Sequence, residues 1–444
     1  GPRYTSYPPA TFFYGSFNGE QRNTMIQESN HQNPQNISLY FHVPFCPQRC
    51  YFCGCNTSEM VNRKTLSRYF DAMKKELKEV AGKLDKKRIV SQIHWGGGTP
   101  NAAPFNRINE IMEYIHSTFY IKEGAEIAME CNPAYLKEKD VEYLAKMGFN
   151  RLSLGIQDIH PEVLSMVNRK PPAIPLYKLI PLLREKGFNR LNLDFIYGLP
   201  GQSIESFREN IEEAAGLRPE RLVTFSYAHV PWVMSHQKKL EEYSIPDAES
   251  KMSMFETAYN LLKEEGYIPI GMDHYALPSD ELAKASQTAS LHRNFQGYAT
   301  RHDTGQVYAF GSTAISQLWG GYFQNAKDAL TYIERVENGY SPVVKGYVTN
   351  PEERILHTVI HEIMCNNKLD WKDLSQKTGQ SEQALRKLSR VEEERLEEFE
   401  KDGLIKRNAN GFSLNEQGFI FVRNIAMAFD PMIGKGMGRY SKTI

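Results

Sequence analysis

The sequence predicts an α/β fold: a partial or complete parallel (β/α) barrel followed by a mostly helical, winged-helix-like C-terminal domain. Three observations predict it. Between residues 37 and 275, short apolar runs alternate with stretches of helical period. Two units repeat, Lys146-Met147-Gly148-Phe149-Asn150-Arg151-Leu152 against Glu185-Lys186-Gly187-Phe188-Asn189-Arg190-Leu191. After about residue 345 the alternation stops. Serial β-α units without a clear reversal imply a parallel sheet with helices outside, and active residues then gather at the C-terminal ends of strands.

The elements follow in order. Strands are expected at 37–43, 89–95, 125–131, 151–156, 191–197 and 221–227. Between them, helices are expected at 65–84, 107–119, 140–147, 176–186 and 203–217. The first helix carries Leu66, Phe70, Met73, Leu77, Val80 and Leu84 on one stripe. In both repeated units a glycine closes a helix, because it accepts the left-handed conformation a helix C-terminus needs. Beyond residue 345, helices are expected at 352–364 and 382–401, then a short hairpin over 403–407 and 411–414. The acidic run Glu392–Glu394 reads as a solvated helix face. The organisation expected is an N-terminal extension packing on the barrel (1–36), a catalytic domain (37–345) and the C-terminal helical domain (346–444).

Composition narrows the class. The 444 residues are 41% hydrophobic and 24% charged, ordinary for a globular protein with room for a large core. Lys plus Arg equals Asp plus Glu, at 53 each, so no polybasic field points to nucleic acid or anionic lipid. No apolar run has the length of a membrane helix. The opening Gly1-Pro2-Arg3-Tyr4-Thr5 is not a signal peptide and lacks Met, so a start inside a longer protein or after a cleaved tag is expected. A monomer in the cytoplasm, working with neither nucleic acid nor membrane, is the expectation.

Four of the six cysteines, 46, 50, 53 and 55, fall within ten residues, which in a large chain reads as metal binding in a reducing compartment. The segment runs Tyr40-Phe41-His42-Val43-Pro44-Phe45-Cys46-Pro47-Gln48-Arg49-Cys50-Tyr51-Phe52-Cys53-Gly54-Cys55. C-x3-C-x2-C just after a strand lets a tight loop wrap three thiolates round one face of a [4Fe–4S] cubane. Three ligands leave one iron open, as catalytic metal sites require. That iron can chelate the amino and carboxylate groups of S-adenosylmethionine. The competing reading is a structural zinc loop using Cys46, Cys50, Cys53 and Cys55, although the second cysteine knuckle usual in such sites is missing. Cys131 and Cys365 read as buried small hydrophobes.

Other strand ends also carry candidates. Gly96-Gly97-Gly98-Thr99-Pro100 ends the second strand, where bare glycines let backbone approach a ligand, or simply make a tight turn. Glu130 ends the third strand and can accept hydrogen bonds from hydroxyls or an ammonium. Asp194, between Leu193 and Phe195, is costly in a central strand unless paired or facing a site.

The cysteine segment resembles that of radical S-adenosylmethionine enzymes. Over essentially its whole length the chain resembles the oxygen-independent coproporphyrinogen III oxidase family. The resemblance is carried by the opening Gly1-Pro2-Arg3-Tyr4-Thr5-Ser6-Tyr7-Pro8, the cysteine loop, His94-Trp95-Gly96-Gly97-Gly98-Thr99-Pro100, Gly271-Met272-Asp273-His274-Tyr275 and His292-Arg293-Asn294-Phe295-Gln296-Gly297-Tyr298. It implies a barrel of the radical S-adenosylmethionine type, a [4Fe–4S] cluster on Cys46, Cys50 and Cys53, and two S-adenosylmethionine molecules. Implied cofactor contacts are Tyr40, Phe52, Gly97, Gly98, Thr99, Glu130, Gln157, Arg169, Asp194, Ala228 and Ile315; Tyr40 and Ile315 also fit plain core packing. Glu130, Phe295 and Gln296 are the implied catalytic residues, the last two with Ile315 near the second cofactor. Cys55 matches a fourth cysteine that the family does not use as a ligand.

The implied reaction is oxidative decarboxylation of two propionates of coproporphyrinogen III to vinyls, giving protoporphyrinogen IX. A deoxyadenosyl radical takes a hydrogen from the propionate β-carbon; carbon dioxide and one electron then leave. An electron donor and an acceptor are required and are not identifiable from sequence. The four substrate carboxylates call for cations. Arg3, Arg293 and Arg301 are candidates, helped by His292 and His274. A heme-binding chaperone or a radical heme-modifying enzyme on the same fold are the alternatives; Cys55 and the Arg3–Pro8 start speak for the oxidase branch.

Overall fold

In the computed structural model, residues 4, 6–301, 303–391 and 393–433 are described. Arg3 therefore lies outside the described residues, as do Thr5 and Glu392.

Six parallel strands follow one another in space as in sequence: β1 (Ile37–Val43), β2 (Ile89–Gly97), β3 (Tyr120–Cys131), β4 (Arg151–Gln157), β5 (Leu191–Tyr197) and β6 (Arg221–Ser226). β1 is buried almost throughout, the pattern of a parallel strand covered on both faces. The predicted strands start or end within a few residues of the observed ones; β3 runs longest, starting at Tyr120 rather than 125.

The helices pack as their stripes require. Helix Arg63–Ala81 is capped by Asn62, whose side chain accepts the Thr65 N–H, and it buries Leu66, Phe70, Met73, Leu77 and Val80. Gly148 and Gly187, the paired glycines of the repeat, both have positive φ, 86° and 92°. Each ends its helix and turns the chain into the next strand.

The direction then reverses. β7 (Ile268–Ile270) and β8 (His274–Ala276) form an antiparallel edge, β8 pairing with β6. On the other side β9 (Gln306–Phe310) runs parallel to β1. β10 (Ile315–Leu318), β11 (Gly321–Asn325) and β12 (Val343–Val348) continue antiparallel. The sheet order is β12-β11-β10-β9-β1-β2-β3-β4-β5-β6-β8-β7, an open arc of twelve strands. The partial form of the predicted barrel is the one adopted.

One prediction is corrected. The helix expected over 382–401 is two helices, Glu382–Ser389 and Glu393–Lys401, separated at Arg390, whose φ is 50°. A left-handed residue ends a helix, and the apolar stripe continues across the break because Leu385, Leu396 and Phe399 all face one core. The expected hairpin is present as Ile405–Asn408 and Gly411–Leu414, with Lys368–Asp370 as a third strand.

Two main cores result. The larger lies between the sheet and its helices and includes Phe17, Met25 and Ile26 of the N-terminal extension. The second gathers Leu356, Ile360, Trp371, Leu385, Phe412 and Phe429, and takes in Tyr4 and Tyr7. Between them stands a hairpin, Leu291–Asn294 with Gly297–Thr300, whose turn carries Phe295 and Gln296.

Candidate active site

The cysteine loop leaves the C-terminal end of β1. Phe45–Cys46 pairs with Ser58–Glu59, Gly98 N–H donates to Val43 O at 2.8 Å and Thr99 N–H to Phe45 O at 3.0 Å. Tyr51 N–H donates to Val167 O at 2.9 Å. Gln237, 1% exposed, clamps the loop from outside. Its amide nitrogen donates to Phe52 O at 3.0 Å and Ala228 O at 3.3 Å, and its oxygen accepts Val230 N–H at 2.6 Å. His236 Nε2 meets Cys53 O at 2.8 Å.

All six cysteines are free; Cys46 and Cys50 are buried, Cys53 partly, and Cys55 is the exposed one of the loop. Two sulfurs already receive donors: Thr99 Oγ1 to Cys46 Sγ at 3.3 Å, and Arg169 Nη1 to Cys50 Sγ at 3.4 Å. Burial pushes the Cys46 thiol up to about 11, so an electropositive iron beside it would favour the thiolate. Among the described residues no three His, Cys, Asp or Glu side chains converge on a single ion. A cubane needs no such convergence, since each thiolate holds its own iron.

Next to the loop, the glycine segment leaves no room for side chains. A Cβ on Gly97, which has φ +114°, would stand 2.6 Å from the His42 ring; on Gly98 it would stand 2.6 Å from Pro44 O. Glu130 lies across from them, accepting Gly97 N–H at 3.0 Å and pairing with His94 Nε2 at 3.0 Å. Burial raises its carboxyl, but His94 and the Gly97 amide outweigh that and hold it below the usual range. Conversely, burial lowers His94 and the Glu130 bond raises it, with a net rise. Tyr40 stacks on His94 at 5.7 Å and meets His42 Nδ1 at 3.0 Å, so it stands behind the wall.

Gln157 ends β4 with φ 73°, and its buried Oε1 has no hydrogen-bond partner among the described residues. Arg169 bonds Gly155 O as well as Cys50. Asp194 accepts from Ser153 Oγ and Asn192 Nδ2, both at 2.8 Å. Its carboxyl is pushed up to about 6, chiefly by burial and then by the Glu130 charge.

These residues wall a single cavity of about 820 Å³. Of the residues predicted to hold the cluster, contact the cofactor or act in catalysis, all but Tyr40 and Ile315 line it. Ile315, on β10 opposite Gln324, sits away from it. The far wall is built by Asp273, His274, Arg293, Phe295 and Gln296. Asp273 accepts His274 Nδ1 at 2.7 Å. Arg301 and His292 are not on the wall; Arg301 pairs with Glu362 at 3.6 Å and His292 stacks on His361 at 4.6 Å.

Sequence reasoning missed part of the lining. Glu126 accepts Arg151 Nε at 2.6 Å, and Arg151 and Arg221 share Glu281 at 2.7 and 2.9 Å. Arg221 also bonds Asp280 at 3.0 Å. Their members come from β3, β4, β6 and a later helix, so no local spacing marks them. The signal available was weaker: a charged residue at the head of an otherwise apolar strand.

The residues present fit a cubane cluster and S-adenosylmethionine: three cysteines on one wall, donors aimed at two sulfurs, a glycine cradle, and an unpartnered buried amide oxygen beside them. Residues 40–214 match the model of the Radical SAM superfamily, and residues 349–421 that of the HemN C-terminal domain. The chain is 39% identical to the oxygen-independent coproporphyrinogen III oxidase of Synechocystis, over 97% of this chain and 92% of that one. It is 36% identical to that of Escherichia coli K12, over 100% and 96%. The solved structure of coproporphyrinogen III oxidase (HemN) from Escherichia coli superposes with a TM-score of 0.91 at 34% identity, covering 97% and 98% of the two chains. Fold and site thus define a radical S-adenosylmethionine enzyme. Within that class, the chain belongs to the oxygen-independent coproporphyrinogen III oxidase family.

Proposed function

We propose that this chain oxidatively decarboxylates two propionates of coproporphyrinogen III to vinyls, giving protoporphyrinogen IX for heme biosynthesis without oxygen. The observation that carries it is the full-length match to curated relatives of that name, coinciding with a strand-end cavity walled by the three cysteines. A chaperone or heme-modifying role on this fold is not favoured, because the relatives matched end to end are oxidases.

In this reading Cys46, Cys50 and Cys53 hold a [4Fe–4S] cluster. When bound, the cluster and S-adenosylmethionine would supply the one-electron chemistry that takes a hydrogen from the propionate β-carbon, and loss of carbon dioxide and of one electron to the separate acceptor would then give the vinyl. The chain's own residues bind, orient and exclude water. Gly97, Gly98 and Thr99 would receive the methionine end, Glu130 would accept from its amino group, and Gln157, Arg169 and Asp194 would bond the remaining polar groups. Phe52 and Ala228 pack against the cofactor, with Tyr40 bracing His94 from behind. Phe295 and Gln296 belong to the region of a second S-adenosylmethionine, with Ile315, the third residue assigned there, outside the cavity, and Arg293 is the arginine of the far wall suited to a propionate.

The remaining expectations stand as part of the same proposal: a cytoplasmic monomer of three parts (1–36, 37–345, 346–444), with a separate electron donor and acceptor, and with neither nucleic acid nor membrane as partner. Zero formal net charge supports it, and no helix among the described residues is long and apolar enough to cross a membrane. The test is anaerobic reconstitution with iron and sulfide, then reductant, S-adenosylmethionine and coproporphyrinogen III. Protoporphyrinogen IX is the expected product. Deoxyadenosine without vinyl product would reject the assigned substrate.

A further inference from the structure

The hairpin that carries Phe295 and Gln296 is fixed from behind by a residue that lines neither the large cavity nor the cysteine loop. Its first strand, Leu291–Asn294, lies against helix Pro351–Asn366. His361 on that helix accepts the Arg293 backbone N–H on Nε2 at 2.9 Å. One turn further along the helix, Met364 O accepts the Tyr298 hydroxyl at 3.2 Å. The His292 ring packs on His361 at 4.6 Å, and His357 packs on it at 5.4 Å. Arg293, Asn294 and Phe295 wall both the large cavity and a small one of about 30 Å³ that His357 and His361 line from the other side. The hairpin is thus a partition, and Asn294 Oδ1 accepts Gln296 N–H at 2.9 Å to stiffen its turn.

We propose that His361 is a positioning residue of the active site, setting through Arg293 N–H the height at which Phe295 and Gln296 enter the large cavity. This rests on the reading that the turn takes part in the reaction. To accept that N–H, Nε2 must be unprotonated, which puts the ring proton on Nδ1. Protonation would abolish the acceptor and place a cation among the groups that face it. Those groups are His292, Arg293 and Arg301 from the hairpin side, His357, Glu362 and Cys365 from its own helix, and Lys377 from the helix beyond. Glu362 is already engaged by Arg301 at 3.6 Å and Lys377 at 3.2 Å. Burial first, then the neighbouring histidines and Arg301, hold His361 well below its usual value. His292 is lowered to about 3 and His357 to about 4, both mainly by burial.

The sign follows. Docked histidines bind fewer protons than undocked ones, so docking is fully favoured above about pH 6.5 and weakens as pH falls toward the lowered values. For one released histidine, lowering pH from 7.5 to 5.5 raises the open fraction about ten-fold.

Amide hydrogen exchange over residues 291–296 of the reconstituted enzyme, corrected for intrinsic rates, reads the docking directly. Protection is expected to fall at least ten-fold between pH 7.5 and 5.5; constant protection would overturn the proposal. In His361→Phe, deoxyadenosine released per vinyl formed is expected to rise about ten-fold, with deoxyadenosine formation itself little changed. His361→Gln, whose amide oxygen can accept the same N–H, is expected to restore coupling to within about three-fold. Equal coupling in all three proteins would overturn the idea, as would equal loss in both variants with hairpin protection intact. If His361→Phe does not fold, His361→Gln and the wild-type pH series still decide it. Absence of vinyl product from the wild type would instead strike the proposed function, leaving the exchange readout untouched.

Discussion

At the scale of single residues, the cavity is governed by how its carboxylates are satisfied. Glu130 has both oxygens engaged, one by His94 and one by a backbone amide. Glu130→Gln keeps one acceptor and turns an N–H₂ toward a donor, a loss of about 1–3 kcal/mol, or on the order of ten- to hundred-fold in S-adenosylmethionine affinity. Equilibrium binding to the reconstituted protein checks it. The pair also sets a pH window. The lowered Glu130 contributes above the ordinary carboxylate range, and this is lost as pH falls through its lowered value; the raised His94 contributes below about 6.5 and is lost as pH rises through its raised value. Asp194 has the opposite sign. Raised to about 6, it penalises the fold at neutral pH, and the penalty disappears as pH falls through 6 toward the ordinary value. Asp194→Asn should therefore show a thermal midpoint no lower than wild type at pH 7.5, gaining up to about 1–2 kcal/mol once cavity water is allowed for, while binding cofactor more weakly. A midpoint several degrees lower would show that Asp194 is held for stability instead.

At the scale of elements, the cysteine loop is held in part by a second loop about 180 residues further along the chain. Gln237 links Phe52, Ala228 and Val230, joining the cysteine loop to the segment after β6. Gln237→Ala removes three hydrogen bonds worth roughly 1 kcal/mol each. Iron and sulfide per chain after a standard reconstitution should drop below those of the wild type; full retention would mean that the loop holds its shape alone. Legibility divides along the same line. Cys46, Cys50, Cys53 and the glycine run announce themselves because their chemistry depends on short spacing. Gln237 and His236 do not, since a glutamine and a histidine in a polar stretch look like surface until the fold buries one of them. The break at Arg390 was hidden for a related reason: apolar periodicity survives a kink when both helices face one core.

At the scale of the whole molecule, the parallel half was readable because each β-α unit is local, and its helix stripe and closing glycine lie within about thirty residues. The antiparallel extension was not, because β7 and β8 are three residues each and β9, which anchors the extension to the parallel half, takes its partner β1 from far upstream in the chain. β1, the strand that leads into the cysteine loop, sits mid-sheet between β2 and β9. Its second neighbour, Gln306–Phe310, comes more than 260 residues after it in the chain. During synthesis, therefore, β1 keeps one bare edge until Gln306–Phe310 has emerged, and an uncovered parallel edge invites mispairing. A chain stopped at residue 300 should accumulate as insoluble material carrying no iron, whereas one reaching residue 350 should regain solubility. The strand beneath the cysteine loop is thus laid early and flanked on its second side late.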